Sequence, residues 1–351
     1  MTVLRNFILA SLLMVAKFVN AAVILQYHNV STTTPAVTSV TPEQFAEHME
    51  YLADNKFSVI PLSELVSAIK NKQILPDKTV AITFDDGYRN IYENAHPILQ
   101  KMGFPYAMFI AIEPIERKFA KMMSWEQIIT ITNEGGAEIM NHSYSHDHLI
   151  RLNEGETKKQ WLERIRKNIV DTEKKIAEKT GDNFKILAYP YGEYNHDITT
   201  LITELGYAAV GQQSGAAGVY SELTALPRFP IAGAYASLKQ LKTKLNSLNM
   251  PIVKQVPLEP QITAAQHRPV LKLTLEMTDI RASQMMCYIS RQGAKKPTWL
   301  SDNELEISAD KDLSAGRSRY NCTVPSKTKN GYYWFSHTWI KPKANGEWLA
   351  E

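Results

Sequence analysis

Two short stretches carry the residue types that do chemistry. Thr83-Phe84-Asp85-Asp86-Gly87 sets two adjacent carboxylates at the end of an apolar run, and His142-Ser143-Tyr144-Ser145-His146 sets two imidazoles four residues apart. Adjacent carboxylates repel each other unless a cation or a shared proton relieves them. Taken alone, Asp-Asp-Gly is equally the sequence of a turn with solvated side chains, and His-x-x-x-His arises by coincidence in a chain with nine histidines. Together they form a set, because carboxylate with neutral imidazole is a standard ligand combination for zinc or a similar divalent ion. Two imidazoles four apart face one way if the chain turns helically after its strand. A catalytic metal site takes three protein ligands and keeps a position open for water and substrate. Asp86, His142 and His146 meet that count. Asp85 is then left to take a proton from water that the ion acidifies to a pKa of roughly 7.

Such residues need elements that bring them together. Short apolar runs at 23–26, 57–61, 79–84, 106–111, 137–140, 185–189 and 208–212 alternate with helical patterns, the signature of a β/α fold with a largely parallel sheet. Seven strands suggest a barrel, and in β/α barrels the C-terminal strand ends form the active face. Thr41-Pro42-Glu43 reads as a helix start with Thr41 as the cap. The longest helix is expected over 156–180, with Trp161, Ile165, Ile169 and Ile176 on one stripe and Gly181 as its stop. Residues 250–269, with four prolines, read as a linker. Beyond it, 270–276, 285–290, 304–308, 319–324 and 332–340 have strand content without a helical period, so 270–351 is expected to be a small β-sandwich.

The chain is long enough, at 351 residues and 44% apolar, to bury two cores. Its 39 basic and 36 acidic residues are nearly balanced and unclustered, which argues against a nucleic-acid partner. Arg5, the apolar run 7–15 and the small pair Ala21-Ala22 read as a secretory signal over 1–22, leaving no membrane span in the mature chain. Export to a periplasm or cell surface follows. Cys287 and Cys322 are then expected to pair, a link worth about 3–4 kcal/mol on the chain-entropy model.

With Tyr189-Pro190-Tyr191-Gly192, the two motifs resemble those of the polysaccharide deacetylases, the NodB-homology or carbohydrate esterase family 4 group, over roughly 23–247. The resemblance implies a distorted (β/α)7 barrel, here over 23–249, followed by the all-β domain. It implies Asp85 as the base and Asp86, His142 and His146 as ligands of a divalent metal, zinc foremost, with cobalt, nickel or iron(II) as substitutes. Tyr191 matches the residue whose backbone N–H, with the metal, stabilises the developing oxyanion, a donor worth a factor of about 10² or more. Tyr191 and Tyr189 are expected to contact substrate.

Two departures narrow the reading. The family carries an Arg two residues before the Pro of the third motif, where this chain has Ala188. Arg228, in Leu226-Pro227-Arg228-Phe229-Pro230, is the candidate to orient Asp85 from another strand, its alternative being an Arg at the surface or core rim. The late Leu-x-His motif that supplies the acid is also absent, and His28 stands instead at the end of the first strand. That placement is similar to the circularly rearranged poly-β-1,6-N-acetylglucosamine deacetylase branch, and an imidazole suits the task because its unperturbed pKa is about 6.5. Chitin-type glycans, peptidoglycan and acetylated xylan remain alternative substrates, and a silent carbohydrate-binding protein is the alternative of another class. His148 lies near the site in sequence, within reach of substrate. The other histidines read as packing or surface residues. Most of Trp299, Tyr332, Tyr333, Trp334, Phe335, Trp339 and Trp348 are expected in the sandwich core.

Overall fold

The computed structural model describes residues 21–349. The signal expected over 1–22 lies outside them except for its last two residues. Ala22 is paired with Thr79 and with Ala217.

Eight parallel strands form the first domain: β1 (Ala22–Tyr27), β2 (Ser58–Val59), β3 (Thr79–Phe84), β4 (Tyr106–Ile110), β5 (Ala137–Asn141), β6 (Ile186–Ala188), β7 (Ala208–Val210) and β8 (Phe229–Pro230). Their order is β8-β1-β3-β4-β5-β6-β7. The sheet closes because 226–230 is shared: Leu226 bridges Val210 of β7, while Phe229 and Pro230 pair with Leu25 and Gln26 of β1. Seven staves result, but not the seven expected. The run at 57–61 contributes only Ser58 and Val59, which occupy the edge of β3 that β4 takes over at Thr83. It stops there because Pro61 caps the helix Leu62–Lys70. The missing stave is the Arg228 segment, whose two prolines disguise it as a loop.

Helix boundaries follow local chemistry. Thr41 closes a capping box with Gln44 ahead of Pro42–Asp54. Thr157 does the same with Gln160 ahead of Lys158–Thr180, which ends at Gly181 in a left-handed conformation, φ 82°. Trp161, Ile165, Ile169 and Ile176 are its buried stripe.

Strand alternation sorts the strand residues into two layers. Ala22, Ile24, Ala81, Ala107, Phe109, Met140, Ile186, Ala188, Val210 and Leu226 fill the barrel interior with Leu62, Leu65 and Ile69 from the helix Leu62–Lys70. Val23, Leu25, Tyr27, Val80, Ile82 and Phe84 face outward, under the helices. Ser63, at the start of that helix, bonds Glu138 at the start of β5, so the helix plugs the end of the barrel where the strands begin. The opposite mouth stays open to the strand C-termini.

The second domain packs a five-stranded sheet, ordered Ser247–Asn249, Tyr332–Lys341, Gly316–Pro325, Met286–Ile289, Gly293–Lys295, on a four-stranded one, Ile252–Val256, Leu271–Leu275, Glu304–Ile307, Thr298–Trp299. The residues expected to be a linker are thus partly strand. Pro251 and Pro257 sit just outside Ile252–Val256, where they cost no ladder bond, and its exposure shows no clean alternation because it is an edge strand. Cys287 and Cys322 face each other across neighbouring strands and are disulfide-bonded. Trp339 and Tyr333 are core residues, whereas Tyr332 is exposed. Trp334 leaves the sandwich to pack edge-on against Phe229 of the barrel, ring centres 5.2 Å apart, and its indole N–H donates to Ser214 at 3.0 Å. Among the described residues no helix is long and apolar enough to cross a membrane.

Each core also contains a histidine. His48 lies between the Tyr27 hydroxyl at 3.1 Å and the Ala236 carbonyl at 2.8 Å, and burial pushes it down to about 4. His337 takes the Gln255 amide at 2.9 Å, and burial pushes it down to about 3. Both are neutral in the fold and protonate near 6.5 when unfolded, so their contribution is complete above that pH and lost as pH falls towards 4 and 3. His48 alone accounts for up to about 3 kcal/mol. Thermal unfolding between pH 7.5 and 4.5 should show a falling Tm, and His48→Gln, which keeps both hydrogen bonds without titrating, should flatten that fall. An unchanged slope in the variant would show that His48 does not carry it.

Candidate active site

The inward row of each strand continues into the open mouth. Ala81 and Thr83 lead to Asp85, Ile24 and Gln26 lead to His28, Met140 leads to His142, and Leu226 leads to Arg228. Four strands therefore aim one polar group each at the same place, set by the two-residue period.

Asp85 and Arg228 are fully buried. The guanidinium holds the carboxylate with two parallel bonds, Nη1 to Oδ1 at 2.7 Å and Nη2 to Oδ2 at 2.8 Å. It is itself fixed by the Gly211 carbonyl at 2.9 Å and the Thr83 hydroxyl at 3.1 Å, with its carbon 5.3 Å from the Phe109 ring centre. Gln26 donates its amide to Asp85 Oδ2 at 2.7 Å, and His28 Nε2 stands 3.8 Å from that oxygen. Burial by itself would raise the Asp85 pKa, but the charges of Arg228, His142 and His28 and the Arg228 hydrogen bonds together outweigh it, and the carboxyl sits at about 2.

Asp86 points elsewhere because its backbone is left-handed, φ 75°, followed by Gly87 at φ 86°, where a side chain would press on Ile110. Its Oδ1 lies 3.2 Å from His142 Nε2 and 3.3 Å from His146 Nε2, and one ligand atom from each of the three falls within 4.8 Å of the others. The two histidines do not converge by a helical turn. Ser143 and His146 are both at positive φ, and the turn is pinned by Asn141 Oδ1 on the Ser143 N–H at 3.0 Å and by Ser143 Oγ on the His146 N–H at 3.1 Å. A non-glycine residue at such angles costs of order 1–3 kcal/mol, so the turn persists only because its surroundings hold it.

These groups suit a cation. His142 Nδ1 donates to the Ala188 carbonyl at 2.8 Å, which turns Nε2 towards Asp86. Asp86 Oδ1 is buried without a hydrogen-bond partner. Burial would raise the Asp86 pKa, yet the two histidines bring it well below the usual range; burial would lower His142, yet Asp86 and Asp85 raise it. The pocket draws positive charge, whether protons or a metal ion, with the carboxylate oxygen 3.2 and 3.3 Å from the two imidazole nitrogens. Burial and the neighbouring Asp86 carboxylate push the Tyr88 hydroxyl well above its usual range.

Tyr191 is left-handed as well, φ 59°, and its ring meets His146 edge-on at 4.7 Å. Tyr189 does not reach the mouth. It belongs to the outward row, is completely buried against the helices Lys158–Thr180 and His196–Glu204, and donates its hydroxyl to the Thr224 carbonyl at 2.7 Å. It is a packing residue, not a substrate contact. His148 stacks on Tyr191 with ring centres 3.8 Å apart. Sequence reasoning missed Gln26 and Tyr88. Gln26 was recoverable, being on β1 two residues before His28, which directly follows that strand; Tyr88 gave no signal beyond following the aspartates.

Residues 72–210 match the family model described as polysaccharide deacetylase. The poly-β-1,6-N-acetyl-D-glucosamine N-deacetylase of Escherichia coli (strain K12) is 24% identical over 263 residues, 64% of this chain and 38% of that protein. The enzyme of the same name from Staphylococcus aureus (strain MRSA252) is 30% identical over 171 residues, 48% of this chain and 59% of that protein. The chain thus spans well under two thirds of either relative. Among solved structures, the Streptococcus pyogenes deacetylase PplD, in complex with acetate, matches 65% of this chain and 99% of its own, with TM-score 0.58 and 22% identity. IcaB from Ammonifex degensii matches 64% and 97%, with TM-score 0.57 and 20% identity. These likenesses share the barrel fold. The chain carries a polysaccharide deacetylase domain, and Gln26, His28 and Arg228 lie outside the matched 72–210.

Proposed function

We propose that this chain, with its polysaccharide deacetylase domain, is an exported hydrolase that removes N-acetyl groups from poly-β-1,6-N-acetylglucosamine, yielding acetate and free glucosamine amines. The observation that carries the reading is the placement of Asp85, clamped by Arg228, directly beside the Asp86, His142 and His146 donor set. Those three residues would hold a divalent cation, zinc foremost, which would supply Lewis-acid polarisation of the acetamide carbonyl and acidify the water from which the neighbouring Asp85 carboxylate takes a proton.

The remaining work falls to the chain. Arg228 and Gln26 fix both oxygens of Asp85, so it is ionised at neutral pH and reorients little on accepting a proton. Water attacks the acetamide carbonyl carbon and gives its proton to Asp85. The developing oxyanion is stabilised from the Tyr191 backbone. The C–N bond breaks as His28, whose Nε2 stands 3.8 Å from Asp85 Oδ2, protonates the departing amine. The partner implied is a neutral glycan, in keeping with the balanced charge of the chain.

The glycan is supported by the names of the relatives and by His28 standing directly after β1. Acetate release from metal-loaded protein, measured on poly-β-1,6-N-acetylglucosamine, chitin oligomers, peptidoglycan and acetylated xylan, should give a kcat/KM at least about tenfold higher on the first, the discrimination expected of a pocket shaped to one linkage. Preference for another glycan would reassign the substrate. Retention of glycan with no acetate from any of them would favour a silent binding protein.

A further inference from the structure

The mouth of the barrel is completed by the other domain. Arg317 stands on the sandwich strand Gly316–Pro325, yet its guanidinium carbon lies 5.6 Å from the Tyr191 ring centre and its Nη1 lies 3.4 Å from the Tyr191 carbonyl oxygen. The same nitrogen is 3.4 Å from Glu193 Oε1. The other oxygen of Glu193 takes His148 Nδ1 at 2.7 Å, and the Glu193 side chain is only 4% exposed. His148 in turn lies flat on the Tyr191 ring, 7° from parallel. The ring is therefore enclosed by ligand His146 on its edge, by His148 on its face and by the Arg317 guanidinium, the last two tied to one buried carboxylate.

Deacetylation as derived above uses none of Glu193, His148 and Arg317. A carboxylate this buried is costly unless paired, and its two partners are the residues that confine Tyr191. Tyr191 needs confinement, since a bulky residue at φ 59°, ψ 2° relaxes elsewhere when its surroundings do not hold it. The turn cannot shift towards β7 either, because Gly192, at φ 68°, packs so closely that a Cβ there would fall 2.7 Å from Gln212.

We propose that Arg317, Glu193 and His148 are positioning residues that lock Tyr191 in its left-handed conformation, so that the sandwich domain completes the active site of the barrel. The proposal rests on the reading of Tyr191 as the donor to the developing oxyanion. Arg317 acts from the rim, where its side chain is about one third exposed, and like His148 it reaches Tyr191 and Glu193 together, but from the sandwich domain.

The test uses the full chain with Arg317→Ala, Arg317→Lys and Glu193→Gln, each followed by kinetics, zinc titration and hydrogen–deuterium exchange over 188–193. Misplacing a catalytic group by about 1 Å costs up to about 10²-fold. Arg317→Ala and Glu193→Gln should therefore lower kcat at least about tenfold, with KM and zinc affinity within about twofold of the parent, and should speed exchange over 188–193. Arg317→Lys, which keeps the charge, should recover part of both effects. A raised KM with unchanged kcat would make Arg317 a substrate contact, and lost zinc affinity would make the cluster a support of the ligand set; either overturns the proposal. Exchange needs no turnover. If the parent releases no acetate while exchange rises in the variants, the deacetylase reading fails and the lock stands; unchanged exchange in variants of an active parent removes the lock alone.

Discussion

Asp85→Asn is expected to slow acetate release by about 10³-fold or more and, at the same time, to destabilise the barrel by about 3–5 kcal/mol. The first effect is the loss of a general base, worth 10²- to 10⁴-fold where measured. The second is the consequence of burial. Arg228 has no exposed surface and its charge is balanced by Asp85, so the amide leaves a cation uncompensated in the interior and turns an N–H group towards donors on Arg228 and Gln26. The variant should keep its metal affinity because Asp86, His142 and His146 are untouched. The two effects separate in the double variant Asp85→Leu with Arg228→Met, which removes both charges and should recover most of the stability but none of the activity. Denaturant unfolding and an acetate assay read both. Wild-type stability in Asp85→Asn would mean that the pair is solvated in solution, and retained turnover would remove Asp85 from the chemistry.

His142→Ala is the complementary case. Partners one shell out from a metal are worth 10- to 100-fold in affinity, so loss of a ligand should exceed about 10². Here the imidazole is 1% exposed and its Nδ1 is held by the Ala188 carbonyl, so the substitution removes a preoriented ligand from the interior. Activity should fall to background at sub-micromolar metal and return in part when metal is raised, whereas Asp85→Asn is insensitive to added metal. Unaltered metal stoichiometry and turnover in His142→Ala would displace the ligand set from this position.

How far the sequence carries depends on the distance over which its signals act. The barrel, the Lys158–Thr180 helix with its cap and stop, and the Asp85-Asp86 and His142…His146 motifs were legible because strand period, helix caps and strand-end chemistry are local. The same two-residue period places Tyr189 on the outward row, out of reach of substrate, and Gln26 on the inward row with His28. The stave at 226–230 and the strand Ile252–Val256 were hidden by their prolines, which read as breakers but sit where no ladder bond is lost. The turn at 142–146 gave no sign of its positive φ values, since it contains no glycine or asparagine to announce them. Arg317 lies 126 positions from Tyr191, and only the packing of one domain on the other brings the two together.

The most direct test is metal dependence on the proposed substrate. Protein stripped with a chelator and dialysed is expected to release no acetate from poly-β-1,6-N-acetylglucosamine and to recover release in proportion to added zinc, reaching its maximum at about one equivalent. Undiminished release from the stripped protein, or recovery by zinc of His142→Ala as complete as that of the parent, would contradict a hydrolytic centre built on Asp86, His142 and His146.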